Sequence, residues 1–281
     1  MPLAEGVSLD LTVIWAFLIA FSVLVYVVLD GFDLGLGMLF ALEPEREDRD
    51  VMMNSVAPVW DGNETWLVLG GGGLFAAFPL AYSLILPAVY APLTAMLLAL
   101  VFRGVAFEFR WRTERWKPLW DLAFIGGSGL AALSQGIILG ALLQGIEIDE
   151  AARVYAGGWW DWLTPFTLAV GLGVMAGYML LGACWLVLKT TGALQNRMRR
   201  WAMVFAPLTV GFIALVSLWT PWLQEGYYAR WFSGWGWGLA AVVAGLTAAS
   251  FLGLIARLRV AAAEVSPFLL ALALFTLCFG G

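Results

Sequence analysis

A few polar side chains lie where an apolar sequence makes them costly, and they are the residues that could do chemistry. Asp30 and Asp33 fall in YVVLDGFDLGLGMLF, three positions apart, so a helix would carry both carboxylates on one face. Asp61, Asn63 and Glu64 fall in APVWDGNETWLVL, at the entry to the next apolar run. Ionisable groups at membrane depth cost several kcal/mol unless paired or hydrated. Clustered acids of this kind could collect protons, bind a cation or cap helices. Capping suits Asp61 and Glu64, because carboxylates are favoured in a helix's first turn. It suits Asp30 and Asp33 less well, since apolar residues continue to Leu42 and hold both acids within protein. Arg103, Glu108 and Arg110 follow where another run leaves the membrane, and orientation of the chain is the ordinary use of such charges. Gln135, inside an apolar run, is expected to bond a neighbouring helix.

Other chemistries are excluded or unsupported. The chain has no histidine, so it supplies no His-liganded zinc, copper or haem and no Ser-His-Asp triad. Cys184 and Cys278 are too far apart in sequence for a CxxC pair and read as buried packing residues. Gly70 to Gly73 lack the Lys-Ser/Thr of a phosphate loop and read as a close-packing stretch. The methionines show no paired pattern and read as core filling.

The elements that must position these residues are membrane helices. Of 281 residues, 62% are hydrophobic and 12% charged, too few charges to build a water-facing surface. The net charge of -5 leaves no electrostatic case for nucleic acid. Charge-free runs mark spans at Leu11 to Leu29, Leu122 to Ile146, Trp162 to Leu188, Trp201 to Gln224 and Trp231 to Ala256. Thr65 to Phe102 is long enough for a helical hairpin turning near Pro79 to Ser83, and Val265 to Gly281 is barely a span. The expected fold is therefore an all-α integral membrane protein of about eight transmembrane helices in two four-helix bundles, residues 1–145 and 146–281, with the second apparently truncated at its C-terminus. If the N-terminus lies outside, thirteen of the fifteen Lys and Arg fall in inside connections, leaving only Arg153 and Arg230 outside. Tryptophans crowd the expected loop ends, as interfacial belts require. No basic stretch precedes Leu11 and no small-residue cleavage site follows Leu29, so no removable signal peptide is expected.

The strings LDGFDLGLGML, NSVAPVWDGNETWLVLGGGGLFAAFPLAYS and FRGVAFEFR resemble subunit II of the cytochrome bd-type quinol oxidases. The likeness is dense to about residue 125 and thinner beyond. It implies a haem-free subunit of a heterodimer in the bacterial cytoplasmic membrane. Two haems b and one haem d would reside in subunit I, with quinol, membrane lipid and a small single-helix subunit as further partners. The complex would couple quinol oxidation to reduction of oxygen to water, with protons drawn from the cytoplasm. The resemblance sets Asp61 on that proton route, Asp30 and Asp33 in a second acidic motif, Glu64 beside them, and Arg103 near the subunit boundary. Two departures stand out. Val59 occupies a place where some members have histidine, and the chain stops short of a further span. A secondary transporter or cation channel built around the same carboxylates is the rival reading, and a structural scaffold with the acids as caps is the third.

Overall fold

The computed structural model describes residues 10–149 and 151–280, with side chains described as far as 277, so Cys278 lies outside the described side chains. Asp10 caps the first helix, α1 (Leu11–Leu39), by accepting from the Thr12 backbone N–H at 2.9 Å. The helix runs past the charge-free span that ends at Leu29, as the apolar residues continuing to Leu42 imply. It continues through the DGFDLGLG stretch, where burial against neighbouring helices replaces lipid, and closes in a single tight turn at Phe40–Leu42. A short amphipathic helix, α2 (Arg46–Val56), then lies across the end of the bundle with Met52, Met53 and Val56 buried.

The long run after it divides into α3 (Trp60–Ala77), α4 (Pro79–Ala88) and α5 (Tyr90–Phe109). The residues expected to turn, Pro79 to Ser83, are instead the first half of α4, and the run breaks on either side of that helix. Pro79 has no N–H to donate and disfavours helical backbone at Phe78, which breaks at φ -132 and ψ 62. A second break at Val89 immediately precedes the turn that contains Pro92, whose ring would collide with the carbonyl of Ala88 in a continuous helix. Next come α6 (Lys117–Gln144), ended by Gly145 at φ 91, and a small antiparallel pair, β1 (Ile148–Asp149) and β2 (Val154–Tyr155). Thr164 and Thr167 form a reciprocal capping box that starts α7 (Pro165–Lys189). The chain finishes with α8 (Gly192–Trp219), the short α9 (Glu225–Trp231), α10 (Gly234–Leu258) and α11 (Val265–Gly280).

Among the described residues six helices are long and apolar enough to cross a membrane: α1 with its closing turn, α5, α6, α7, α8 and α10. The remaining two of the eight expected spans correspond to α3, whose first turns are polar, and α11, which is short. The centre of the molecule is α7, which packs against α1, α6, α8 and α11. One hydrophobic core runs through both expected halves without interruption, from Tyr26 on α1 to Phe275 on α11. In lipid, such packing rests on close van der Waals contact more than on burial from water. Glycine supplies it here. A Cβ on Gly35 would collide with the Tyr178 carbonyl, and one on Gly182 with the backbone of Gly35 and Leu36, so α1 and α7 touch main chain to main chain. Outward-facing Trp235, Val68 and Leu218 give the bundle the apolar exterior that a lipid environment accepts.

Candidate functional site

The two acid sets, expected to converge near the cytoplasmic ends of consecutive helices, do meet at one buried point, with Asp61 left outside it and Arg103 added. Asp30 and Asp33 project from one face of α1, 1% and 0% exposed. The Arg103 guanidinium of α5, itself fully buried, stands between them, with Nη2 at 3.4 Å from Asp30 Oδ1 and 3.8 Å from Asp33 Oδ2. Its Nη1 donates to Glu64 of α3. Asn63, one residue earlier, donates through Nδ2 to Asp33 Oδ2 at 2.8 Å. The Phe107 ring lies 5.6 Å from the guanidinium carbon, a cation–π distance. Close approach of α5 to α6 makes room for this, since a Cβ at Gly127 of α6 would press on the Ala99 carbonyl and on Arg103 itself.

Charge counting defines what this cluster can do. One guanidinium faces three carboxylates, and burying an uncompensated charge costs several kcal/mol. Both oxygens of Asp30, Oδ1 of Asp33, and Nε and Nη2 of Arg103 lack a hydrogen-bond partner within the protein. The site therefore has a deficit of positive charge that protons or water can meet. Among the described residues no group of three acids or thiols is disposed to hold a metal ion. Only Glu64, with 24% of its side chain exposed, connects the cluster to the surface.

Asp61 is not in this group. It lies exposed in the first turn of α3, and its carbonyl accepts from Thr65 Oγ1 at 3.1 Å. No side chain caps α3, so the capping use expected for Asp61 and Glu64 is not realised in that form. Arg103 lies inside the chain's own core. Its use as a mere orienting loop charge is corrected by its burial, as is that of Arg110, which pairs with Asp50 at 2.6 Å and with Asp121 while 1% exposed. Loops collect arginine for topological reasons, and nothing in the linear pattern separates those that fold back among acids.

Several polar residues escaped the sequence reading. Arg49 joins Asp121 at 3.1 Å and Lys117 joins Asp50 at 3.0 Å, so α2 is tied to the start of α6 and, through Arg110, to the end of α5. Arg197 of α8 holds Glu43 by two hydrogen bonds, at 3.0 and 3.1 Å, and also pairs with Asp48. Asp50 is the titrating member outside the spans. Partial burial acts to raise its carboxyl, but hydrogen bonds from Arg110 and Lys117 outweigh that and hold it below the usual carboxylate range. Gln135 does bond neighbouring helices as expected, taking the Tyr178 hydroxyl at 2.6 Å and donating to the Tyr26 hydroxyl at 2.7 Å.

Comparison with known proteins now bears on this geometry. A family model described as cytochrome bd terminal oxidase subunit II matches residues 11–281. The chain belongs to that family. Among its relatives, the cytochrome bd-I ubiquinol oxidase subunit 2 of Escherichia coli K12 is 36% identical over 223 residues, 77% of this chain and 59% of that protein. The cytochrome bd ubiquinol oxidase subunit 2 of Bacillus subtilis is 34% identical over 207 residues, 73% of this chain and 60% of that protein. The matched region thus spans about three fifths of the length of these relatives. The bd oxidase of Geobacillus thermodenitrificans has the same fold, with a TM-score of 0.76 at 18% identity, over 96% of this chain and 82% of that one. Asp30, Asp33, Asn63, Glu64 and Arg103 of the buried cluster lie in the DGFD, WDGNET and FRGVAFEFR stretches on which the sequence resemblance rests.

Proposed function

We propose that this chain is the haem-free subunit of a bd-type oxidase, multi-pass in the bacterial cytoplasmic membrane, and that its acids carry protons from the cytoplasm towards the oxygen-reducing subunit I. In this reading the complex oxidises quinol and reduces oxygen to water, and the two haems b and the haem d belong to subunit I. A small single-helix subunit and membrane lipid complete the assembly. Support comes from family membership and from the absence of histidine in the chain.

The observation that carries the proton assignment is the single Arg103 facing Asp30, Asp33 and Glu64 with several of their polar atoms unpartnered. Reduction of oxygen consumes protons that must cross a medium of low dielectric, and buried carboxyl groups can hold and release them there. Exposed Asp61 is suited to gathering a proton, and half-buried Glu64, one turn along α3, to receiving it. Arg103 keeps the remaining negative charge from destabilising the fold. The transporter reading needs its acids at the break in a discontinuous helix. Here the break at Phe78 lies about 20 Å along α3 from Glu64.

The test uses the assembled complex. Asp61→Asn should lower quinol-driven oxygen consumption while haem content stays normal; full turnover would remove Asp61 from the route. Asp30→Asn combined with Asp33→Asn should abolish activity or assembly, and an active, stable complex would reduce both acids to packing residues.

A further inference from the structure

Two tyrosines and an amide continue from the acid cluster into the middle of the bundle, and their hydrogen bonds all run one way. Tyr178 of α7, fully buried, donates its hydroxyl proton to Gln135 Oε1 of α6, and Gln135 Nε2 donates to Tyr26 Oη of α1. Tyr26 is 3% exposed and sits one turn before Asp30 on the same face of α1. Having accepted from Gln135, the Tyr26 hydroxyl still has a proton to give. Both Asp30 oxygens need a donor. A buried polar hydrogen seldom goes unused, so these two needs answer each other.

Resting on the proton reading above, we propose that Tyr26, Gln135 and Tyr178 are positioning residues, a directed strut that aims three donors in series at Asp30 and fixes its carboxyl against Arg103. Hydrogen bonds in series polarise one another, so the phenol of Tyr178 strengthens the donor that Asp30 receives two residues away. The central link also sets a limit on what the strut can conduct. A neutral amide releases no proton under ordinary conditions, so the strut supplies orientation and dipole but no path. A proton held on Asp30 stays with Asp33, Glu64 and Arg103 and does not pass into α7. The second half of the chain thereby acts on the cluster through the hydrogen bond of Tyr178 to Gln135. Gly31 belongs to the same device, because a Cβ there would push into the Tyr178 ring.

The experiment takes the purified, haem-replete complex with isotope-labelled aspartate carboxyls and records the infrared carboxyl bands together with oxygen consumption. The Asp30 band is identified by its loss in Asp30→Asn. Tyr26→Phe should displace that band and lower turnover about tenfold, the scale of one lost hydrogen bond to a charged group, at unchanged haem content. Tyr178→Phe removes a single oxygen at the far end, so it keeps the packing; it should displace the same band in the same sense by less. An unmoved Asp30 band in both tyrosine variants overturns the strut, even where Asp30→Asn is inactive and the proton reading stands. A displaced Asp30 band in the tyrosine variants, together with wild-type turnover in Asp30→Asn, keeps the strut and removes the proton reading.

Discussion

Glu64 and Asp61 are three residues apart in one helix turn and have opposite surroundings. Glu64 reaches inward to Arg103, whereas Asp61 stays outside. Glu64→Gln keeps the size and the acceptor oxygen but removes the group that can carry a proton. It should lower oxygen consumption by about tenfold to a hundredfold at normal haem content, measured with a soluble quinol in the purified complex. Wild-type turnover would close this entry. At this scale the sequence was informative where a charge was conspicuous. Asp30 and Asp33 stand out in an apolar run at helical spacing. Tyr26 and Tyr178 do not, because a tyrosine among Phe, Val and Leu satisfies ordinary packing and nothing local reveals whether its hydroxyl has a function. Arg103 and Arg110 were hidden by their position, since the ends of membrane helices gather arginine whether or not an acid awaits them.

Among the elements, neighbouring glycines make opposite demands. Gly127 faces α5, with the Ala99 carbonyl 2.6 Å and Arg103 Cβ 3.1 Å from where its Cβ would stand; Gly126 faces open space. Gly127→Ala should therefore displace Arg103, destabilise the chain by about 1–3 kcal/mol and depress turnover, while Gly126→Ala should leave both within error in thermal unfolding and oxygen-consumption assays. The attachment of α2 gives a prediction in pH. Because Asp50 is held below the usual carboxylate range, its contribution to stability is complete above that range and is lost as the pH falls through the lower value it has in the fold. Melting temperature of the complex followed on acidification should thus fall less steeply for Asp50→Asn than for the wild type, and parallel curves would show that Arg110 and Lys117 hold α2 without it. Helix existence was legible from charge-free runs. The continuation of α1 past Leu29 into protein was legible too, from the apolar residues reaching Leu42, but the neighbours that take over from lipid around Gly31 to Gly37 were not, nor was the division of the run from 65 to 102 into three helices.

For the molecule as a whole, the family and the helical membrane architecture were readable from motifs and composition, while the way the halves join was not. Residues before and after the β1–β2 connection share one core, and the Arg197–Glu43 pair and the Gln135 strut cross the same divide. Such long-range pairings leave no periodicity in a linear string. The contact of α1 with α7 at Gly35 and Gly182 has a mechanical consequence. With peptide planes pressed together there is no slot at that point for an acyl or isoprenoid tail to thread between those two helices. A route through this subunit therefore skirts the α1–α7 seam and runs where the polar side chains are, on the α3 and α5 side of α1.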